Sequence, residues 1–267
     1  MLPAIIPRLM LLTGLSVVSA WLHHLGHLPV VPLALHTLVG STLGLLLAFR
    51  TNSAYERFWE GRKAWGAVVN HTRNFTRKLL GAGLPADVQR DCAVDLVAFV
   101  QCLERHLRGT SPDAELARLY PNGVPPELRA PPGAPQQCLL RITRRLAQAR
   151  TEGRLDSIDL GRFDADLTAL VDQLGVCERI QRTPIPLAYV LHLRRALLLF
   201  ALTLPFALVK DLGVWAPVGG AAVLYVMLGI EQIGVEIEDP FEISPNDIDL
   251  EAIAANIERE AFSITAG

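Results

Sequence analysis

The chain has 267 residues and a net charge of -2, with 25 Lys and Arg against 27 Asp and Glu, so it lacks the basic face or domain of a nucleic-acid binder. Charged residues make up only 19% and hydrophobic residues 51%, at a mean hydropathy of +0.30, against roughly 25% charged in soluble domains. That composition points to a membrane protein or to one with a very large buried fraction. Cys92, Cys102, Cys138 and Cys177 form no C-x-x-C pair and no disulfide spacing, so reduced thiols in a cytosolic region are expected.

A bilayer core needs about 20 mostly apolar residues per helix, and four segments approach this. The first, Ala4 to Leu22, is interrupted only by Arg8, whose side chain would snorkel to the cytoplasmic interface. Val18-Ser19-Ala20 before Trp21 also fits a secretory signal with a small-residue cleavage site, which would leave three spans. The second segment, Pro29 to Phe49, carries no charge but contains His36, either a functional intramembrane group or a neutral histidine bonded to a neighbouring helix. Between them, "HHLGHLP" places His24 and His27 at metal-compatible spacing beside His23. It has no acidic or thiol partner nearby and reads as an interfacial loop.

From Thr51 to about Arg182 the chain turns polar but stays helical in pattern. "RDCAVDLVAFVQCLERHL" sets Val94, Leu96, Val97, Val100 and Leu103 on one apolar face, and "LLRITRRLAQARTEG" and "FDADLTALVDQLGVCERI" read alike. The Pro- and Gly-rich stretch from Gly109 to Gln137 predicts loops with a short helical turn at most. No window alternates with the period of a strand.

The third apolar segment carries Arg194, Arg195 and Pro205. It is either a short span beginning near Leu193 or a longer helix whose arginines face protein or water. The fourth runs from Leu212 to Ile230, with only Lys210 and Asp211 between the two, which predicts a hairpin turn there. Lys and Arg are absent from the first link and abundant after Phe49, so the positive-inside rule places both termini and the middle segment in the cytoplasm. The division expected is 1–50 for the first two spans, 51–183 for a helical cytosolic domain, 184–232 for the last two spans and 233–267 for a cytosolic connector and helix. The fold class is therefore all-α, with four transmembrane helices and a helical cytosolic domain.

Motifs for hydrolases, nucleotide binding and zinc peptidases are absent, so no enzyme is expected and no cofactor is required. The acidic run from Glu236 to Glu251 lacks the EF-hand order and reads as a solvated connector ahead of an amphipathic helix starting near Leu250.

"FRTNSAYERFWEGRKAWG" resembles the signature of bacterial bestrophin-like membrane proteins, and "ERIQRTPIPLAYVLH" and "EIEDPFEISPNDIDL" resemble two further blocks of that family, in the same order. The resemblance implies a homopentameric ion channel of the bacterial inner membrane, passing small monovalent ions along its five-fold axis. Counting back from Arg57-Phe58 puts the family's three neck positions at Ser41, Leu45 and Phe49; the serine departs from the apolar pattern. The resemblance also places a cytosolic aperture at Ile158, between Asp156 and Asp159, whose charge favours cations over anions. Asp239 and Asp247 fall on ligand positions of the eukaryotic calcium clasp, as a cation site, but Ser244 stands where an Asp is expected, which argues against calcium activation. Family members carry a cytosolic stretch before the first span, so Met1-Leu2-Pro3 marks a shortened or a divergent start.

Two other readings remain. One is a membrane-anchored scaffold or binding protein without conductance. The other is a membrane enzyme, for which no nucleophile, base or metal constellation appears. The aromatics Tyr55, Phe58, Trp59 and Trp65 are expected to pack the helix leaving the membrane against its neighbours. Arg50, Glu56, Arg57, Glu60, Arg62 and Lys63 are expected to form helix-spaced ion pairs or to line water.

Overall fold

The computed structural model describes residues 2–26, 31–129 and 133–265. His27 and the expected start of the second span at Pro29 lie outside them. Every regular element among the described residues is helical: α1 (Leu2–His24), α2 (Leu33–Gly81), α3 (Ala86–Leu107), α4 (Asp113–Leu119), α5 (Ala134–Thr151), α6 (Ser157–Arg182), α7 (Leu187–Leu212), α8 (Ala216–Glu236) and α9 (Leu250–Thr265). Two compact units form, one from Met1–Phe58 with Pro184–Asp239, the other from Trp59–Thr183 with Pro240–Gly267. α2 runs unbroken for 49 residues. At 1.5 Å per residue it is roughly 75 Å long, more than twice a hydrocarbon core of about 30 Å.

The first unit contains three stretches long and apolar enough to cross a membrane: Ile5–His24, the head of Leu33–Gly81, and Leu187–Glu236, which holds both α7 and α8. Its core is assembled from residues four apart on three helices: Leu43 and Leu47 on α2, Leu193 and Leu197 on α7, Leu224 and Leu228 on α8. That spacing puts each pair on one helix face. In lipid, close packing rather than water exclusion drives association, which favours small residues at contacts. Gly40 shows the effect, since a Cβ there would lie 3.2 Å from the Phe200 ring.

α7 begins at Leu187, directly after Pro186, which selects the longer of the two helices considered for the third apolar segment, with Arg194 and Arg195 inside it. One boundary differs from the sequence reading. The turn to α8 comes at Gly213 (φ 51°), two residues beyond Lys210-Asp211, which instead form the last turn of α7. A left-handed C-cap residue suits glycine and neither Lys nor Asp.

In the second unit α3 is enclosed on nearly all sides, with Leu96, Val97, Val100 and Leu103 buried as expected but Val94 only half-buried. Asp95 is sealed in its place. Its carboxylate accepts hydrogen bonds from Tyr120 Oη at 2.6 Å, Arg141 Nε at 3.0 Å and Arg145 Nε at 3.1 Å. A buried carboxylate is tolerated only when so paired, and this one joins α3 to α5. The Pro-rich stretch holds more helix than the single turn expected. α4 runs seven residues, Asp113–Leu119, anchored by buried Leu116 and Leu119. α9 starts where expected, its first turn capped by Asp249, whose Oδ1 accepts from the Ala252 N–H at 2.9 Å.

Candidate functional site

Within the first unit, α2 has one face in the core and the other open. Leu43, Leu47 and Arg50 are buried, while Ser41, Leu45 and Phe49 are exposed, Leu45 by 56% and Phe49 by 58%. Residues at i, i+4 and i+8 form a single stripe, so these three present two large apolar side chains below a small one. The Ser41 hydroxyl donates to the Thr37 carbonyl at 2.8 Å, which occupies its proton within the helix. Asn52 and Glu56 continue the same stripe, both exposed, with Asn52 Nδ2 donating to Glu56 Oε1 at 2.9 Å. Glu56 is thus the first charged group on the stripe after Phe49, and it pairs with no cation among the described residues.

Ile158 lies in the first turn of α6 and is 71% exposed. Its acidic neighbours are less free than their sequence implies. Asp156 caps the helix, Oδ1 accepting from the Asp159 N–H at 2.7 Å, and Asp159 pairs with Arg162 at 3.3 Å. Arg77 and Lys78 line the same cavity of about 290 Å³ as Asp159 and Arg162. The acidic bias expected there is therefore offset by neighbouring cations.

Asp247 has both carboxylate oxygens shielded and without a partner, but no group of three His, Cys, Asp or Glu that could hold a metal exists among the described residues. His36 is buried between helices, its Nε2 sharing a 2.9 Å hydrogen bond with Thr203 Oγ1 of α7.

The charged residues of the α2 junction behave differently from the helix-spaced pairing expected. Arg50, 2% exposed, reaches Glu231 Oε1 at 3.5 Å and Glu238 Oε2 at 3.1 Å, and Arg57 Nε donates to the Glu238 carbonyl at 3.1 Å. Both arginines thus hold the C-terminal end of α8, where exposed carbonyls favour cations. Arg194 Nε joins Glu231 Oε1 at 3.1 Å, and Arg8 lies 3.7 Å from Glu231 Oε2. Arg8, expected to snorkel to the interface, has a side chain 63% exposed and lies beside this carboxylate. In the second unit Glu60 pairs with Arg179 of α6. Of the aromatics, Trp65 is fully buried, while Tyr55 and Trp59 stay about half exposed, Lys63 lying 5.7 Å over the Trp59 ring.

The family described as Bacterial/Fungal Bestrophin protein matches residues 1–262. The chain belongs to that family. It is 42% identical over 229 residues to a voltage-dependent anion channel-forming protein of Nostoc, covering 84% of this chain and 75% of that one. It is 34% identical to the voltage-dependent anion channel-forming protein YneE of Escherichia coli, covering 89% and 78%. A crystal structure of a bacterial bestrophin homologue from Klebsiella pneumoniae superposes with a TM-score of 0.93 at 35% identity, covering 98% of both chains.

The bestrophin membership makes this a membrane protein of an ion-channel family. The structure also explains why two of its signature blocks travel together. Arg50 and Arg57 of the first block hold Glu238 of the last, and Gly61 admits the next residues, since a Cβ there would lie 3.1 Å from Pro240 and 3.2 Å from Phe241. Glu231 escaped the sequence reading. The available signal was a lone carboxylate near the end of an apolar bestrophin span, which by default demands a named partner.

Proposed function

We propose that this bestrophin is a homopentameric channel of the bacterial inner membrane, built from four membrane-crossing helices per subunit (α1, the head of α2, α7 and α8) with both termini in the cytoplasm. The single observation that supports it best is the open stripe on α2. Leu45 and Phe49 point away from the subunit's own core although each would stabilise it if buried. Repeated around a five-fold axis, they form two apolar collars beneath a ring of Ser41. Such a constriction resists ions by dewetting and passes them once it widens or its side chains rotate. Ile158, exposed on α6, serves as the cytosolic aperture. No catalytic step and no cofactor enters this reading, and calcium is not its activator.

The conducted species are small monovalent ions, with cations preferred. Support for the sign comes from Glu56, whose carboxylate follows Phe49 on the neck stripe and would repeat as a ring at the inner end of the neck. A second reading, anion preference, has its own observations: the relatives are named for anion channels, and Arg162 offsets Asp159 beside Ile158. Recording purified protein in a planar bilayer under a salt gradient tests both levels. Absence of unitary currents rejects the channel, and the direction of the reversal potential assigns the sign.

A further inference from the structure

The membrane-embedded unit carries a feature unrelated to the neck stripe. α1, α7 and α8 enclose a cavity of about 300 Å³, lined at one end by Arg8, Arg194 and Glu231 and along its length by leucines including Leu11, Leu198 and Leu202. Those leucines are exposed in the subunit, Leu11 by 72% and Leu198 by 56%. From Arg194 to Leu202 the helix rises about 12 Å, close to the depth of one leaflet's hydrocarbon.

The charged end is electrostatically unbalanced. Glu231 is shared among Arg8, Arg50 and Arg194, and Glu238 is held by Arg50. Of the charged groups lining the cavity, two are guanidiniums, Arg8 and Arg194, and one is a carboxylate, Glu231, which the buried Arg50 shares, so the lining carries positive charge in excess. Arg50 is sealed inside, so the excess is presented by Arg8 and Arg194, whose side chains are 63% and 51% exposed. Each guanidinium has five N–H donors. Arg194 uses Nε on Glu231, and Arg8 stands at 3.7 Å, beyond hydrogen-bond reach, so most of these donors remain available for a phosphate.

We infer that this groove is a binding site for one anionic phospholipid, its phosphate held by Arg8 and Arg194 and one acyl chain lying along Leu11, Leu198 and Leu202. A bilayer supplies this occupant at high concentration, and an apolar slot ending in surplus positive charge matches its two chemistries together. The inference rests on the membrane placement of α1, α7 and α8 and is independent of whether the neck conducts.

The experiment uses the full chain, purified in a neutral detergent, with native mass spectrometry counting bound dioleoyl phosphatidylglycerol against dioleoyl phosphatidylcholine. Phosphatidylglycerol is expected to bind preferentially. The double variant Arg8→Gln/Arg194→Gln should weaken it roughly thirtyfold, from about a fivefold step per arginine near the lipid surface. Leu198→Trp, which fills the slot from an exposed position and leaves the charges intact, should also abolish the preference. Inorganic phosphate should not displace the lipid. Equal binding of the two lipids, or a preference unchanged in both variants, overturns the site. Displacement by phosphate alone overturns the lipid in favour of a simple anion. A change of oligomeric mass in Leu198→Trp by light scattering overturns it in favour of a second copy of the chain covering the groove.

Discussion

Arg50 Nη1 lies 3.5 Å from Glu231 Oε1, and both side chains are almost wholly removed from solvent. One comes from the middle of α2 and the other from near the end of α8, so the pair fixes the open stripe of α2 by holding the helix's opposite face. The same arginine also holds Glu238, so a single side chain ties α2 both to α8 and to the C-terminal bestrophin block that follows it.

Removing the carboxylate leaves that buried arginine with Glu238 as its one remaining carboxylate partner and with the Glu231 backbone carbonyl, which accepts from Nη1 at 3.3 Å. Glu231→Gln is therefore expected to destabilise the folded protein by about 3–5 kcal/mol, the cost of breaking a buried ion pair from one side. Thermal unfolding in detergent should show a clearly lowered midpoint. A midpoint equal to that of the parent would mean that the pair holds nothing together.

Glu56 supplies the test of ion sign within the protein itself. Its carboxylate accepts from Asn52 and faces away from the core, so Glu56→Gln keeps the hydrogen bond and removes only the charge. The proposed cation preference should fall in a salt gradient, with the reversal potential moving toward zero. An unchanged reversal potential would place selectivity elsewhere on the pathway.

Acid is expected to loosen α9 first. The Glu258 carboxyl is held below the usual range by hydrogen bonds from Arg118, and that of Glu260 by its bidentate pairing with Arg73 at 2.6 Å. A carboxylate whose folded pKa is depressed adds stability that is fully present above its unfolded value, near 4.3, and is lost as pH falls through the folded value. Because Arg73 and Arg118 are both about half exposed, each pair contributes at most about 1 kcal/mol. Limited proteolysis between pH 7 and pH 3.5 should release the C-terminal peptide at the acid end before the rest of the chain is cut. Cleavage of that peptide at the same rate across the range would refute this docking.

How much of this was legible beforehand can be judged on particular residues. The apolar spans, the long uninterrupted α2 and the start of α9 followed from hydropathy and 3.6-residue periodicity, because lipid and core both select for a continuous face. The exposure of Leu45 and Phe49 did not follow from periodicity, since every neighbour from Leu43 to Phe49 is apolar or small; only the family resemblance singled them out. For Arg50 and Arg57 the sequence offers helix-spaced pairing or water, because proximity ranks Glu56 and Glu60 first. The true partners are some 180 residues away and become visible only when α8 is laid beside α2. The burial of Asp95 with two arginines is a tertiary fact that no local window contains.

The thiols give an independent check on the packing of the second unit. Burial pushes Cys92 and Cys177 up to about 12, and all four cysteines are buried. At pH 8 only on the order of 10⁻⁴ of these two is thiolate, the reactive form. Maleimide labelling should therefore be negligible in the native protein and proceed once denaturant is added. Rapid native labelling would show that α3 or α6 is not packed as described.

The central claim is that ions cross at the collars of Leu45 and Phe49. The most direct measurement compares unitary conductance of purified parent protein with the Leu45→Ala/Phe49→Ala double variant in the same planar bilayer. Both positions are exposed in the subunit, so truncation should leave folding intact, and widening the two collars should raise conductance or open probability severalfold by removing the dewetted barrier. Identical currents from parent and double variant, or no current from either, would contradict the account.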